Sequence, residues 1–198
     1  MRHGESLWNR EMRIQGQTES DLSPEGYKQA EQLAERLKDV QFDAIYSSDL
    51  MRAYLTAEII NRNHNLKINK HTGLREANFG DWEGILVSEA KLWYPQSYED
   101  WYRDPVGRRP PNGEGIDSVV RRVRGVVDEL ANVHKNQTVL VVAHGGPIRA
   151  MVCSILNLDI TAWRKSRIDN ASITIFEFTD SRPFLALLND TCHLSRSS

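Results

Sequence analysis

The sequence predicts an α/β fold, a three-layer α/β/α sandwich with a mainly parallel central sheet and a small helical cap insert. Three observations favour this fold class. Short apolar runs of strand length alternate along the chain with longer segments of helical period. The run TVLVVAHGG is continuous, β-branched and ended by glycines, which is typical of a strand covered on both faces. An aromatic-rich segment broken by proline and glycine interrupts the alternation between residues 77 and 115.

Size and composition limit the class of protein. The 198 residues, 40% hydrophobic and 26% charged, suffice for one well-packed domain, 1–198, with the insert at about 77–115. The net charge of −2 predicts neither nucleic acid nor a membrane as a partner. No apolar run approaches membrane-spanning length, no leader is visible, and the two cysteines give no sign of an oxidising compartment. We therefore expect a cytoplasmic protein, and a homodimer stays open.

Two helices and a strand are predicted in the first third of the chain. Ser23 is expected to cap a helix that starts at Pro24, because serine followed by proline is a favoured helix start. Its apolar face recurs at helical spacing and comprises Tyr27, Ala30, Leu33, Ala34 and Leu37. The run FDAIYSS predicts a short buried strand. Ser48 or Asp49 is expected to cap the next helix, which has one apolar face.

The middle of the chain departs from this alternation. LKINKH predicts a weak strand, and the insert that follows predicts two short helices and a proline- and glycine-broken loop. Because the insert directly follows Glu76, a candidate site residue discussed below, we expect part of it to overhang the pocket that contains this residue. A long amphipathic helix comes next, with valines on one face. Its other face is predicted to be solvated and carries Arg121, Arg122 and Arg124.

The last third predicts a central strand, a helix and two closing strands. The strand is TVLVV, and Pro147 is expected to start the helix that follows it. ASITIFEFT and PFLALL predict the closing strands. Strands that alternate with helices in this way indicate a parallel sheet with helices on both faces.

Three turns of this predicted sheet carry residues suited to chemistry. Each follows the order apolar strand, polar turn, helix, and together they deliver Arg2 with His3, Arg52, and His144. Ligands of open α/β sheets collect at the carboxyl ends of strands near helix N-termini, so these side chains are expected to converge on one pocket. That pocket suits phosphate, because arginine binds its oxygens bidentately and a neutral imidazole can attack phosphorus.

Successive blocks of the chain resemble the signatures of a known family. RHGES, with Asn9 after it, resembles the signature of the histidine phosphatase superfamily in its phosphoglycerate mutase-like branch. The loop that follows this signature in the family is resembled by RIQGQTESDLSPEG. The family segment that carries the second arginine is resembled by YSSDLMRAYLTAEII, and its Leu-Arg-Glu block is resembled by LREANFGDWEG. VVAHGGPIR resembles the second histidine turn, and DNASITIFEF and LLNDTCHL the closing strands. The resemblance covers nearly the whole chain.

The resemblance implies a metal-independent phosphatase that hydrolyses a small phosphorylated metabolite through a phosphohistidine, without a cofactor or a metal. His3 is implied to be the nucleophile. Arg2, Arg52 and His144 are implied to hold the phosphoryl oxygens through the transfer. Glu76 is implied to protonate the leaving oxygen and then to act as base on water, which requires a suitable pKa. The implied substrate-binding groups are Asn9, Gln15, Gly16 and Gly145.

Alternatives to this function stay open. Phosphoglycerate mutase-type transfer is less favoured, because such mutases carry a larger insert and a longer tail. A non-catalytic phospho-ligand binder is opposed by the complete set of histidines, arginines and Glu76. The resemblance does not choose among α-ribazole phosphate, phosphoserine, phosphoglycerate and sugar phosphates. Phe79 stands where phosphoserine-specific relatives place a histidine, which counts against phosphoserine. Arg108 and Arg109 are candidates for contact with a second acidic group of the substrate.

Two features depart from the family pattern. Only Met1 precedes Arg2, where the family has a buried first strand, so we expect neighbouring strands to lack backbone partners there. Gly115 stands where the family places a serine, which predicts altered capping of the long helix. The remaining histidines have no metal-ligand spacing and are expected to be structural or exposed: His64, His71, His134 and His193.

Overall fold

A computed structural model describes residues 1–179 and 182–194. The strands are β1 (Ala44–Ser47), β2 (Ile68–Lys70), β3 (Val139–Val142), β4 (Ile173–Phe178) and β5 (Pro183–Asp190). β2, β1 and β3 form a parallel sheet in that order, with Ile45 opposite Ile68 on one side and Leu140 on the other. β4 and β5 form an antiparallel pair with an irregular register. The predicted domain limits, 1–198, include a few residues outside the described ranges.

The helices of the described residues are α1 (Leu7–Arg10), α2 (Pro24–Leu37), α3 (Met51–Asn61), α4 (Val87–Trp93), α5 (Pro95–Arg103), α6 (Ile116–Val133) and α7 (Gly145–Ile155). Helices α2 and α3 pack on one face of the parallel sheet and α6 on the other. Alternate strand residues divide between the two faces, as strand geometry requires. Ile45 and Val142 pack with α2 and α3, whereas Tyr46 packs on the α6 side. The predicted α/β fold with a mainly parallel sheet is confirmed.

Residues 1–3 occupy the position of the family's first strand, where we expected the neighbouring strands to lack backbone hydrogen-bond partners. Arg2 pairs with Ala143 in parallel orientation, and the His3 N–H donates to the Ala143 carbonyl at 3.1 Å. On the other side, the Arg2 N–H donates to Ser172 O at 3.2 Å, and the Ala171 N–H donates to His3 O at 2.9 Å. The expectation of unpaired neighbours was therefore wrong, because three residues suffice to link β3 with the start of β4.

Two helix starts differ from the prediction. Leu50, and not Ser48 or Asp49, is the N-cap of α3, although Ser48 Oγ accepts a hydrogen bond from the Leu50 N–H at 3.3 Å. α7 begins at Gly145 with His144 as its N-cap, two residues before Pro147. Proline is tolerated there because the first N–H groups of a helix have no partner within the helix. The predicted Ser23 cap of α2 is present, with Ser23 Oγ accepting from the Gly26 N–H.

The insert at 77–115 holds the two predicted short helices, α4 and α5, and packs through aromatic residues. Trp82 and Trp101 are buried, with ring centroids 5.5 Å apart, and Trp101 also meets Trp163 at 6.2 Å. The same cluster includes Val119 of α6 and Met151 of α7, so it seats the insert on these two helices. Within the described residues, no helix combines the length and apolar character needed to cross a membrane.

Candidate active site

His3 follows directly after the short segment paired with β3, and its ring is buried. Its Nδ1 lies 2.6 Å from the Gly4 carbonyl oxygen, which accepts only, so Nδ1 carries the proton and Nε2 keeps its lone pair. Burial, and after it the charges of Arg52 and Arg2, holds the pKa of His3 well below its ordinary value. His3 is therefore a neutral imidazole with a nucleophilic Nε2 at neutral pH.

His144 lies beside His3 at the N-terminus of α7. The two ring centroids are 5.0 Å apart and the ring planes meet at 60°. Burial is the largest cause that lowers the pKa of His144, and the charges of Arg52, His3 and Arg2 act in the same direction. Among the described residues, neither ring nitrogen of His144 has a hydrogen-bond partner. A buried polar group without a partner is costly, so this ring is suited to a ligand oxygen.

Arg2 and Arg52 are anchored by backbone carbonyls. Arg52 donates from Nη1 to Thr18 O at 3.0 Å and from Nη2 to Gly16 O at 2.6 Å, and Arg2 donates from Nη1 to Ile168 O at 2.6 Å. In the described part of the chain, the Nε atoms of both are buried without a partner. Burial lowers the pKa of Arg2 to about 10, and it also lowers the pKa of Arg52. Both remain cationic at neutral pH and can therefore bind an anion.

Glu76 is held at the N-terminus of α7. Its carboxylate accepts from the Gly146 N–H at 3.1 and 3.2 Å and from the Ala77 N–H at 2.9 Å. The backbone of Glu76 is clamped by Arg122, whose Nη2 donates to Glu76 O at 2.9 Å. Arg122 also forms an ion pair with Glu114 at 2.8 Å. The predicted solvated role of Arg122 was therefore wrong, because its long side chain reaches back to the segment that carries the catalytic candidate.

Two of the predicted substrate-binding residues, Asn9 and Gln15, form a hydrogen-bond network with Ser6. Asn9 Oδ1 accepts from the Ser6 N–H at 3.2 Å and from Asn170 Nδ2 at 3.0 Å, which turns the amide nitrogen of Asn9 away from this network. Gln15 Oε1 accepts from Ser6 Oγ at 2.6 Å. Gly16 has φ +57°, a conformation that glycine adopts without strain, and this turn aims its carbonyl at Arg52.

One cavity of about 520 Å³ connects these residues. Of the predicted site residues, its walls include Arg2, His3, Asn9, Gln15, Gly16, Arg52 and Glu76. His144 and Gly145 are not among the residues of its wall, but each lies against one that is: the His144 ring centroid is 5.0 Å from that of His3, and a Cβ placed on Gly145 would be 3.8 Å from Arg2 Nε. The predicted overhang of the insert is present in four aromatic residues of the wall: Phe79, Trp82, Tyr98 and Trp101. Within the described residues, no three His, Cys, Asp or Glu side chains gather as metal ligands would.

The structure also adds residues that the sequence did not single out. Arg13, Arg149 and Arg164 line the same cavity. Arg149 follows Gly145 by one helical turn, so its position in the HGGPIR block was an available signal, whereas Arg164 lies in a short 3₁₀ turn with no motif. Arg108 and Arg109, the predicted contacts to a second acidic group, are exposed and are absent from the cavity wall.

Comparison with known proteins identifies the family. A sequence model of the histidine phosphatase superfamily (branch 1) matches residues 1–191. Phosphoserine phosphatase 1 of Hydrogenobacter thermophilus is 41% identical over 194 residues, which are 98% of this chain and 92% of that protein. YhfR of Bacillus stearothermophilus matches with a TM-score of 0.93 and 31% identity, over 97% of this chain and 96% of that one. A phosphoserine phosphatase mutant of Entamoeba histolytica, in complex with phosphoserine, matches with a TM-score of 0.88 and 32% identity, over 98% of this chain and 96% of that one.

The fold and the cavity define an α/β enzyme with an arginine- and histidine-lined candidate anion site beside the N-terminus of α7. The chain belongs to the histidine phosphatase superfamily, branch 1, as its sequence blocks predicted. It is a phosphatase, and its relatives include a metal-independent phosphoserine phosphatase of Arabidopsis thaliana, 34% identical over 98% of this chain and 82% of that protein.

Proposed function

We propose that the protein hydrolyses a small phosphorylated metabolite in two steps, with His3 Nε2 as the atom that accepts the phosphoryl group. The observation that carries the proposal is the fixed tautomer of His3, whose Nδ1–H is bound to Gly4 O at 2.6 Å. The free Nε2 belongs to a residue of the same cavity wall as Arg2, Arg52 and Glu76. A nucleophile, cationic groups and a carboxyl group are the parts that metal-free phosphoryl transfer needs.

In the first step, the bond between Nε2 and phosphorus forms while the ester P–O bond breaks. Arg2, Arg52 and His144 bind the phosphoryl oxygens, and the two arginines neutralise their charge. The carboxyl group of Glu76, in its acid form, gives its proton to the leaving alkoxide. The product of this step is an alcohol, and the phosphoryl group stays on His3.

In the second step, water attacks phosphorus and the P–N bond breaks. Glu76, now a carboxylate, accepts the proton of the water, so that it ends the cycle as an acid. Inorganic phosphate leaves and His3 returns to its neutral form. The hydrogen bonds from Gly146 and Ala77 keep the carboxylate of Glu76 in place between the two steps.

The size of the cavity supports a small substrate. The cavity volume of about 520 Å³ lies within the range of pockets that bind metabolites. A folded protein could not enter a cavity of this size. We propose that the insert at 77–115 acts as the cap of this cavity and that the enzyme works in the cytoplasm. The similarity to phosphoserine phosphatases makes phosphoserine a substrate to test. Because Phe79 replaces the histidine of phosphoserine-specific relatives, we expect that any recognition of phosphoserine depends on a residue other than 79.

The test is hydrolysis of p-nitrophenyl phosphate by the wild type, His3→Ala and His134→Ala, each with and without chelator. His134 bonds to Tyr46 outside the cavity, so it is the matched control for loss of a histidine. We expect His3→Ala to lose at least about 10³-fold in kcat, with His134→Ala and chelator having little effect. Activity that survives in folded His3→Ala would contradict the proposal, and activity lost with chelator would contradict metal independence.

A further inference from the structure

The cavity has a second cationic end, formed by Arg164 and aromatic residues. The Arg164 guanidinium lies over the ring of Trp101, 3.9 Å from its centroid, and 4.2 Å from the ring centroid of Tyr102. Trp163 contributes a third ring at 5.4 Å. Such stacking fixes the plane of a guanidinium while its N–H groups, which point outward in that plane, stay available as donors.

Arg164 has no acidic partner within residues 1–179 and 182–194. The titratable groups that act on it are Tyr98, Tyr102 and Arg149, none of which is a carboxylate. Arg164 has a hydrogen bond to the Tyr102 side chain, but its Nη2 is buried without a hydrogen-bond partner. Arg2 and Arg52 have the same feature, an unpartnered buried nitrogen, at the other end of the cavity. A half-buried guanidinium without an anion is costly, so a ligand anion would stabilise it.

Arg149 connects the two ends of the cavity. Its charge acts on Arg2 and also on Arg164, lowering the pKa of both. Its Nη1 lies at the start of α7, where a Cβ placed on Gly145 would be 3.3 Å away. Arg2, Arg149 and Arg164 all line one cavity of about 520 Å³, so a single small molecule in it can contact both Arg2 and Arg164.

The chemistry around Arg164 selects the kind of anion. The indole N–H groups of Trp82, Trp101 and Trp163, all residues of the same wall, have no hydrogen-bond partner in the described part of the chain. The wall thus has unpartnered N–H donors as well as the cation of Arg164, and a cationic group would be repelled near Arg164. A carboxylate accepts hydrogen bonds only, and its two oxygens match the planar fork of arginine.

We infer that Arg164 binds a carboxylate of the substrate whose phosphate lies at His3, so that the enzyme selects small phosphorylated carboxylic acids. This inference rests on the proposed function. Arg164 takes the role that the sequence had given to Arg108 and Arg109. Phe79 stands where phosphoserine-specific relatives place a histidine, and its side chain has no hydrogen-bond donor for a carboxylate. Arg164 would supply that donor from another position of the wall.

The experiment compares two substrate pairs that differ at the carboxylate. The pairs are O-phosphoserine with O-phosphoethanolamine and 3-phosphoglycerate with glycerol 3-phosphate, and p-nitrophenyl phosphate reports the chemistry alone. The proteins are the wild type, Arg164→Gln, Arg164→Lys and the exposed control Arg109→Gln, each checked by its melting temperature. Lysine keeps the charge and loses the planar fork, so Arg164→Lys is expected to retain part of the preference.

We expect the wild type and Arg109→Gln to have a higher kcat/KM for the acid in at least one pair. Arg164→Gln should lose about 10- to 10²-fold for the acids, with p-nitrophenyl phosphate changed by less than about 3-fold. No preference for the acid in either pair, a preference that survives Arg164→Gln, or an equal loss on all substrates would overturn the inference and leave the proposed function intact. A folded wild type that hydrolyses none of the esters would overturn the proposed function, and the inference with it.

Discussion

At the scale of single residues, the surroundings of His3 keep its imidazole neutral, as the proposed nucleophile has to be. Burial removes the water that would solvate an imidazolium, and Arg52 and Arg2 repel the extra proton. Both effects lower the pKa, so the lone pair on Nε2 persists in mildly acidic solution. In the proposed mechanism, the two arginines that bind the phosphate thus also help to keep its acceptor, His3, free of a proton.

Glu76 provides a test at this scale, because a proton donor matters most when the leaving group is poor. Glu76→Gln keeps an oxygen that can accept from the Gly146 N–H but removes the transferable proton. We expect kcat/KM for an alkyl phosphate to fall by about 10²- to 10⁴-fold. The loss for p-nitrophenyl phosphate should be much smaller, since p-nitrophenolate leaves without help. Equal losses on the two substrates would show that Glu76 only shapes the site.

The catalytic candidates were predictable from sequence where they follow a strand or stand in a signature block. His3, Arg52 and His144 belong to this group, and the structure places them together. Arg122 and Arg164 were not predictable in the same way. Their roles depend on where a long side chain ends, and spacing along a helix or a 3₁₀ turn gives no such distance.

At the scale of elements, the segment of residues 3–5 and the helices α2 and α3 meet with little side-chain material between them. A Cβ on Gly4 would lie 2.5 Å from Gly26 O, and one on Gly26 would lie 1.9 Å from Glu5 O. The Ser23 N–H donates to Glu5 O at 2.8 Å, and the Gly4 N–H donates to Thr56 Oγ1 at 3.1 Å. Backbone contact of this kind fixes the position of His3 relative to α2 and α3. The sequence shows each glycine but not that the two face each other.

The start of α7 allows a prediction about how an element positions Glu76. A Cβ on Gly146 would lie 2.1 Å from Glu76 Oε1, so Gly146→Ala should displace the carboxylate, which is the mobile end of a side chain. We expect kcat to fall by about 10²-fold, which is at most the decrease expected for Glu76→Gln, because the carboxyl group is displaced but not removed. The melting temperature should change little.

The matched control is Gly125→Ala, on an exposed part of α6, where an added Cβ has no atom within 4 Å. Alanine at that position should raise the free energy of unfolding by about 0.5–1 kcal/mol through helix propensity and leave kcat unchanged. Normal activity in Gly146→Ala would show that the carboxylate does not need its place at the helix start.

At the scale of the whole molecule, the fold class was predictable because strand and helix periods alternate over most of the chain. The parallel order β2-β1-β3 agrees with that expectation. The link through residues 1–3 was not predictable, because a three-residue segment has no measurable period. Its place depends on hydrogen bonds to Ala143 and Ser172, which lie far away in sequence.

Stability at mildly acidic pH is a property of the whole molecule that the buried histidines should control. In the unfolded chain, His3 and His144 titrate near 6.5, whereas in the fold burial lowers the pKa of both well below that value. Between the two values the unfolded chain binds more protons, so the free energy of unfolding falls as the pH drops below about 6.5. Carboxylates such as Asp49, whose pKa is lowered by Arg75, lose their stabilising effect in a separate, more acidic window near and below 3.8.

Chemical denaturation of the wild type and of His144→Asn from pH 7.5 to 4.5 tests this account. We expect the wild type to be most stable above about pH 7 and to lose stability steadily below 6.5. Each buried histidine contributes at most about 1.4 kcal/mol per pH unit in that window. His144→Asn removes one of these groups, so its stability should fall less steeply with pH, whatever its absolute value at neutral pH. Parallel curves for the two proteins would mean that His144 takes up its proton in the folded state as readily as in the unfolded chain, and the anion site would then be wetter and less apolar than its burial indicates.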